Sequence, residues 1–270
     1  MYPAVDVRGA DTGLLLALVD DFSPTAIEER DDAIRIFFSS ASTRDDARTQ
    51  LARQFDVASV DVPDEDWARR SQADLAPVTV GRITVFPDPT HPKSPIPNHL
   101  CIVIEPSMGF GTGHHVTTRL CLEALQTRDL RGATMLDVGT GSGILAIAAV
   151  RLGASRAIGI DDDADAIQAA RENLALNPAD GVTFEVGDLR SMPLPAADVV
   201  AANLTGALIV KAASVLRRAT RAGGTLILSG LQIHERDEVL RAFRSPALTW
   251  EREEDGWIGL VVNHRASDPV

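Results

Sequence analysis

The sequence has few cysteines, no long apolar run and no recognisable leader. Cys101 and Cys121 are the only two cysteines in 270 residues. Two are too few for a disulfide framework or a zinc site, so we expect both to be buried as small apolar residues. No segment approaches the roughly 18 consecutive apolar residues of a membrane-spanning helix. Asp6 and Asp11 stand where a signal sequence would be basic and then apolar. These absences predict a cytoplasmic protein without a membrane segment.

Positive charge is also scarce. The chain has 26 Lys and Arg against 38 Asp and Glu, a formal net charge of −12, and its isoelectric point is near 4.9. Such a charge repels a phosphate backbone, so direct nucleic-acid binding is not expected, although a local basic patch would escape this average. An acidic protein suits a basic protein partner better. Acidity that serves only solubility is the alternative.

The sequence has enough apolar content and length for a folded protein with more than one domain. Hydrophobic residues make up 45% and charged residues 24% of the chain, which is ordinary for a globular protein with a buried core. A length of 270 residues accommodates one α/β domain of about 150 to 200 residues and a smaller companion. We therefore expect two domains.

Residues 1–62 alternate between short strand-like and helix-like segments. We predict strands over 4–7, 26–28, 33–38 and 57–60, and helices over 14–22 and 45–54, with Thr43 as a possible cap of the second helix. This β-α-β-β-α-β order matches the ferredoxin-like plan, a small sheet with helices on one face. We expect a small ferredoxin-like α+β domain that holds a partner and does not catalyse.

Residues 63–98 are expected to connect this domain to the next. A charged stretch around Trp67 is predicted to be a helical linker, and residues 78–86 are predicted to form one strand. Five prolines between positions 87 and 97 exclude regular structure there and predict an exposed connection.

Residues 99–270 alternate between strands and helices, which predicts an α/β domain built on a mainly parallel sheet covered on both faces. The predicted strands are 100–104, 134–138, 157–160, 182–186, 199–202, 224–228 and 257–262. The clearest predicted helices are 117–125, 143–152, 164–176, 208–219 and 234–244. Ligands bind such sheets at the carboxyl ends of the strands.

The most informative motif is DVGTGSG at residues 137–143, where an apolar strand runs into glycines and then a helix. Gly139, Gly141 and Gly143 permit a tight turn and let a ligand lie against the backbone. Asp137 ends the strand, in a position to accept from a cationic amino group such as that of a methionine moiety. A ligand-free glycine-rich turn is the alternative interpretation.

The spacing of these glycines distinguishes two cofactors. Dinucleotide-binding enzymes use Gly-x-Gly-x-x-Gly to bring a pyrophosphate onto a helix N-terminus, whereas this chain has Gly-x-Gly-x-Gly. The carboxylate of Asp137 would also repel a pyrophosphate and attract the ammonium of S-adenosylmethionine. The motif therefore favours S-adenosylmethionine over a nicotinamide cofactor.

Polar residues follow three further predicted strands. Asp161 lies 22 residues beyond Gly139, where nucleotide-binding folds place an acid for the ribose hydroxyls. The next two residues, both aspartates, are better explained as caps of the following helix. Asp188 is suited to the adenine amino group, with a simple turn residue as the alternative. Asn203 is suited to orienting an amine, and a turn-forming Asn is an equally good interpretation.

With these residues identified, the chain resembles the ribosomal protein L11 methyltransferase family, bacterial enzymes that methylate amino groups of a ribosomal protein. The most specific match is EPSMGFGTGHHVTT at residues 105–118, which is similar to the family pattern Asp-Pro-Gly-x-Ala-Phe-Gly-Thr-Gly-Thr-His-Pro-Thr-Thr. Asp66-Trp67 and the segment 77–82 also follow the family's linker and first core strand. The resemblance covers most of the chain.

The resemblance implies a Rossmann-like class I methyltransferase domain with a seven-stranded, mixed, mainly parallel sheet, preceded by a substrate-recognition domain. It implies that a loop from Phe110 to His115 closes over S-adenosylmethionine. Together with the motif, it gives a cofactor-binding set of Thr118, Asp137, Gly139, Gly141, Gly143, Asp161, Asp188 and Asn203, and a catalytic set of Asn203, Phe110 and His115. Asn203 would orient the acceptor amine and the loop would shield it.

Several positions depart from the family pattern. Thr-His-Pro is replaced by His114-His115-Val116, and Asn-Ile-Leu-Ala is replaced by the segment NLTG at residues 203–206. A linker tryptophan and an aromatic residue are replaced by Ser71 and Leu75. No metal is expected at the histidine pair, because adjacent side chains point apart and no carboxylate has a familiar ligand spacing. The departures affect the protein substrate more than the cofactor pocket.

The function that follows is an S-adenosylmethionine-dependent N-methyltransferase acting on a lysine or N-terminal amine of a protein, with ribosomal protein L11 as the expected substrate. A methyltransferase of the same fold acting on another protein or a small molecule is the main alternative. A nicotinamide-linked oxidoreductase and a non-catalytic binding module are further alternatives. A nucleic-acid methylase is disfavoured because NLTG lacks the aromatic residue that would stack on a flipped base.

Overall fold

The computed structural model describes residues 2–9, 15, 18–19, 22, 24, 26–29, 33–38, 40–62, 76–90, 99–105, 113–244 and 247–264. The chain forms two compact units, Met1–Asp74 and Leu75–Val270. The predicted linker helix over 63–72 lies outside the described residues, as does most of the proline-rich connection.

The described residues of the first unit include a four-stranded antiparallel sheet and a helix, Ala41–Leu51, that packs on it. Strands β1 (Tyr2–Arg8), β2 (Ala26–Glu29), β3 (Ile34–Phe37) and β4 (Asp56–Val62) lie in the order β2-β3-β1-β4. Helix α1 (Ala41–Leu51) contributes Ala47 and Leu51 to a core shared with Val5 and Ile36. Most of residues 10–25 lie outside the described residues, so the ferredoxin-like plan as a whole stays a prediction.

Helix α1 begins earlier than the sequence pattern predicted. The Ser40 side chain accepts a hydrogen bond from the Thr43 backbone N–H at 3.2 Å, so Ser40 is the cap and the helix begins at Ala41. The expected cap at Thr43 and the bounds 45–54 were wrong. A serine at the cap position can accept a hydrogen bond from the free N–H three residues later, whereas a threonine inside the first turn cannot take this position.

The second unit opens with a small three-stranded sheet. Strands β5 (Val78–Val80) and β6 (Ile83–Phe86) form an antiparallel hairpin, and β7 (Leu100–Val103) pairs in parallel with β6. The prediction of one strand over 78–86 was wrong because Gly81, with φ of 55°, turns the chain. Leu100–Val103 was also expected in the large sheet. Its cysteine, Cys101, is half-buried, whereas Cys121 is buried.

The large sheet has seven strands and is mainly parallel, as predicted. They are β8 (Thr134–Val138), β9 (Arg156–Asp161), β10 (Val182–Val186), β11 (Ala197–Asn203), β12 (Thr220–Gln232), β13 (Ala247–Glu254) and β14 (Trp257–Asn263), in the order β10-β9-β8-β11-β12-β14-β13. The first five are parallel to one another, and β14 runs antiparallel to both β12 and β13.

Helices cover both faces of this sheet. They are α2 (Val116–Gln126), α3 (Ile144–Arg151), α4 (Ala164–Ala175), α5 (Gly206–Ala219), a short 3₁₀ turn at Ile233–Glu235, and α6 (Arg236–Ala242). Helices α2, α3 and α4 share one core with residues such as Leu122 and Ile147, and α5 and α6 share another with Ile209 and Val239. Each fully buried leucine or isoleucine contributes about 1.5–3 kcal/mol.

This architecture places the carboxyl ends of β8, β9, β10, β11 and β12 along one edge of the sheet. The glycine turn, Asp161 and Asn203 all follow strands that end there. We call this edge the carboxyl edge. Within the described part of the chain, no helix is long and apolar enough to cross a membrane.

Candidate active site

The glycine turn between β8 and α3 has backbone angles that favour glycine. Gly139, Gly141 and Gly143 have φ values of 72°, 51° and 82°, in the left-handed region where other residues are strained. A Cβ atom on Gly143 would lie 2.6 Å from Cζ of Phe184, and one on Gly139 would collide with the Leu204 side chain. The turn is therefore a backbone surface that a ligand can approach closely.

Asp161, at the end of β9, holds this turn in place. Its Oδ2 accepts the Gly141 N–H at 2.9 Å, and its Oδ1 accepts the Asp163 N–H at 3.1 Å. A carboxylate has further acceptor sites on both oxygens, so Asp161 can still accept from a ligand hydroxyl. Asp163 itself accepts the Asp165 N–H and caps α4, as its position in the sequence suggested.

Asp137 is a fully buried carboxyl group directly beneath the turn. Its Oδ2 accepts the Thr140 hydroxyl at 2.7 Å, while its Oδ1 has no hydrogen-bond partner among the described residues. Burial raises the pKa of Asp137 to about 7, although the bond from Thr140 opposes this shift. An ionised Asp137 with a free oxygen would be stabilised by a cationic group.

Asp188 lies after β10, where its carboxylate is engaged by a neighbour. Its Oδ1 accepts both the backbone N–H and the Nε–H of Arg190 at 2.8 Å, and these bonds lower the pKa of Asp188. The same arginine lies 3.8 Å from Asp162. This pairing gives Asp188 a structural role in the turn, and its contact with adenine stays a prediction.

Asn203 ends β11 on the same face of the sheet as Asp137. Asp137 pairs with Ala201, and side chains alternate between faces along a strand, so Asn203 faces the same side two residues later. Its half-buried carboxamide makes no hydrogen bond to the described residues. Its neighbour Leu204 packs against Gly139. The end of β11 is thus next to the glycine turn, with a free donor and acceptor.

Helix α2 begins beside this edge and is capped by His115. The Nδ1 atom of His115 accepts from the Thr117 N–H. The ring also makes an edge-to-face contact with Trp257, with centroids 5.3 Å apart. Thr118 is buried in the first turn. Phe110 and the rest of the predicted covering loop up to residue 112 lie outside the described residues.

A family model described as "Ribosomal protein L11 methyltransferase (PrmA)" matches residues 21–265. The chain belongs to the ribosomal protein L11 methyltransferase family. The family member of Geobacter sulfurreducens is 40% identical over 274 residues, covering 95% of this chain and 90% of that protein. That of Geobacter metallireducens is 46% identical over 187 residues, covering 69% of this chain and 61% of that protein.

A solved structure agrees with this assignment. The ribosomal protein L11 methylase of Lactobacillus delbrueckii subsp. bulgaricus is similar to this chain with a TM-score of 0.65 and 25% identity, covering 71% of this chain and 98% of that one. The family resemblance carried by residues 105–118 and the glycine turn is thereby confirmed, together with the methyltransferase fold of the large sheet.

Two departures from the family pattern have structural explanations. His114 donates a hydrogen bond from Nε2 to the Ala76 carbonyl oxygen at 2.9 Å, since a carbonyl can only accept. His114 therefore joins the start of α2 to the segment before β5. Gly206 stands where the family pattern has alanine, and a Cβ there would lie 2.8 Å from Oε2 of Glu235. The carboxylate of Glu235 fills the space of the missing methyl group.

Sequence reasoning missed Trp257 and Glu235 at the carboxyl edge. Trp257 starts β14 and pairs with Gln232 at the end of β12, so only the antiparallel pairing brings it to this edge. Neither residue belongs to a spaced motif. Among the described residues, no group of three or more His, Cys, Asp or Glu could hold a metal ion.

A cavity of about 470 Å³ lies at the opposite edge of the sheet. It is lined by residues that include Asp129, Asp198 and Thr225. The Asp198 carboxylate accepts from the Thr134 backbone and from Arg221, both at 2.8 Å, which ties β8, β11 and β12 together at their starts. The Asp198 carboxylate is thus satisfied within the fold.

Proposed function

We propose that this chain is an S-adenosylmethionine-dependent N-methyltransferase that methylates amino groups, a lysine side chain or the N-terminal amine, of ribosomal protein L11. The observation that carries the proposal is the carboxyl edge, where the glycine turn, Asp137, Asp161 and Asn203 come together. Membership of the family supports the same activity. A cytoplasmic location, a basic protein partner and the absence of direct nucleic-acid binding stay predictions.

The residues at this edge fit S-adenosylmethionine. The backbone at Gly139, Gly141 and Gly143 would admit its close approach, since side chains at Gly139 and Gly143 would clash with neighbours. The unpartnered Oδ1 of Asp137 would accept from its amino group, and Asp161 would accept from its ribose hydroxyls. Thr118 and Asp188 would complete the pocket. A pyrophosphate would instead meet the negative charge of two aspartates, which disfavours a nicotinamide cofactor.

Bound S-adenosylmethionine supplies a methyl group on a positively charged sulfur, which a neutral amine can attack. The protein must therefore align the amine, exclude water and let a proton leave. Asn203 has an unused carboxamide at the end of β11, and its oxygen would accept from the amine and fix its direction. The backbone of Leu204 lies beside the same position.

The amine must also lose a proton, because a lysine with a pKa of about 10.4 is charged near neutral pH. Asp137 shares a face with Asn203, but it is fully buried beneath the glycine turn. We therefore propose that the proton leaves to solvent. His115, held by Thr117 and Trp257, would border the amine, and the loop from Phe110 would shield it from water.

The test is transfer of labelled methyl from S-adenosylmethionine to a bacterial lysate and to purified ribosomal protein L11. Label on a single ribosomal protein band in the lysate, with the same band labelled when purified, would support the proposal. Label on another protein would support the alternative substrate that the NLTG departure allows. Label confined to small solutes would reject a protein substrate.

A further inference from the structure

The carboxylate of Glu235 lies against the first residue of α5, at the carboxyl edge. A Cβ atom on Gly206 would be 2.5 Å from Cδ and 2.8 Å from Oε2 of Glu235. Gly206 follows Asn203 by three residues. Glu235 follows the end of β12, a strand whose Ser229 pairs with Asn203. The segment that we expect to receive the acceptor amine is therefore bordered by a negative charge.

The position of this carboxylate is fixed by the backbone. Oε2 of Glu235 accepts the Gln232 N–H at 2.8 Å, and the Gln232 side chain accepts the Glu235 N–H in return. This reciprocal capping box holds the side chain in one place. Its free oxygen and its charge therefore stay at the edge of the sheet.

No cation in the described part of the chain neutralises Glu235. The following residue, Arg236, is directed to Glu251 and Asp237, at 2.7 Å from each. Two other glutamates of this unit are paired as well, Glu254 with Arg119 and Glu123 with Arg252. Glu235 is thus a half-buried carboxylate without an ion pair to the described residues. A half-buried negative charge is stabilised when a binding partner supplies a cation beside it.

The face of the sheet on which Glu235 lies indicates that it would bind a cation other than the methylated amine. Glu235 lies with α5, which packs on the face of Val200 and Ala202. Asn203 lies on the opposite face, with Asp137 and Ala201. The opposite faces separate a group bound by Glu235 from the acceptor amine, while the contact of Glu235 with Gly206, three residues after Asn203, keeps the two at the same edge of the sheet.

We propose that Glu235 is a specificity-determining residue that binds a second cationic side chain, lysine or arginine, of the polypeptide substrate. The cation lies next to the methylated amine in the bound substrate. This rests on the proposed function, because it assumes a protein amine as acceptor. Gly206 contributes by leaving the space that the carboxylate occupies.

The experiment measures initial rates of methyl transfer to purified ribosomal protein L11 at saturating S-adenosylmethionine. The variants are Glu235→Gln, which keeps the capping oxygen, and Gly206→Ala, which displaces the carboxylate. The matched control is Glu238→Gln, an exposed residue in the first turn of α6. Thermal unfolding confirms that each variant is folded.

We expect KM for ribosomal protein L11 to rise about threefold or more in both variants at low salt, with kcat within about twofold of the unmodified chain. The difference in KM between these variants and the unmodified chain should disappear at about 0.5 M salt, because screening weakens charge pairing. Glu238→Gln should match the unmodified chain. If Glu235 had only a structural role, its substitution would instead lower the melting temperature, and the change in KM would persist at high salt.

An unchanged KM in folded Glu235→Gln, or a loss that salt does not remove, would overturn the role of Glu235 alone. Failure of the unmodified chain to methylate ribosomal protein L11 would refute the proposed function and this inference with it. The two failures are therefore distinguishable.

Discussion

Asp161 accepts the backbone N–H of Gly141 at 2.9 Å, so the end of β9 holds the glycine turn that follows β8. Each of these residues was expected to contact the cofactor separately. The hydrogen bond makes them one unit, because the acid that would bind ribose also sets the conformation of the turn. A substitution of Asp161 should therefore weaken cofactor binding in two ways, through the lost ribose contact and through the altered turn.

Replacing Asp161 with alanine should weaken S-adenosylmethionine binding by about tenfold or more, since it removes a charge-assisted bond to the turn as well as an acceptor for ribose. Calorimetry of the purified chain measures this. Asp162→Ala is the matched control, because Asp162 is exposed and 3.8 Å from Arg190. Equal affinities of the two variants would contradict the role of Asp161.

The buried Asp137 makes cofactor binding depend on pH. Its pKa is raised to about 7 in the folded chain, so it gains its negative charge as pH rises through that value. The amino group of S-adenosylmethionine favours the charged form, and the dissociation constant should fall between pH 6 and pH 8. Calorimetry at both pH values tests this. Asp137→Asn should bind more weakly at pH 8 and lose this dependence.

The same group gives the cofactor-free chain a stability that falls with rising pH. An aspartate has a pKa of about 3.9 in an unfolded chain. Between about pH 4 and pH 7 the folded form keeps a proton that the unfolded form has lost, so the free energy of unfolding decreases as pH rises. Denaturant unfolding of the unmodified chain and Asp137→Asn should differ in this slope. Parallel slopes would exclude the shifted pKa.

Gly139→Ala should destabilise the chain more than Gly132→Ala. Both glycines have similar φ values, 72° and 75°, so both substitutions carry the same backbone strain. A Cβ on Gly132 meets no atom within 4 Å, whereas one on Gly139 meets Leu204. We expect an additional loss of about 1–3 kcal/mol in Gly139→Ala, measured by denaturant unfolding, and weaker cofactor binding only in that variant. Equal losses would argue against a close-packed turn.

Asn203→Ala should lower methyl transfer about 100-fold, a larger loss than its effect on S-adenosylmethionine binding, because misplacing the acceptor amine slows the reaction itself. Single-turnover rates and calorimetry separate these two effects. A variant with full transfer activity would exclude the orienting role of Asn203.

The sequence was most informative where a local pattern determines structure. The apolar strand 134–138 and the glycines after it predicted the turn, and alternating strands and helices predicted the parallel sheet. The hairpin at residues 78–86 was missed because Val, Thr and Ile continue on both sides of Gly81. Strand β13 was missed because its sequence ALTWEREE is largely polar, as a sheet edge allows.

The parts of the site that could not be predicted depend on long-range contacts. Glu235 reaches Gly206 only because β12 and α5 lie side by side, and Trp257 reaches His115 only because β14 runs antiparallel to β12. Neither contact leaves a spacing signal in the sequence. The roles of Phe110, His115, Thr118 and Asp188 stay predictions that substitution at each position can test.

The most direct test of the central proposal is mass spectrometry of purified ribosomal protein L11 after incubation with the chain and S-adenosylmethionine, with Asn203→Ala in parallel. We predict mass increases of whole methyl groups, located by fragmentation on lysine side chains or the N-terminal amine, and almost none with Asn203→Ala. An unchanged mass, with S-adenosylmethionine demonstrably bound, would contradict the proposal.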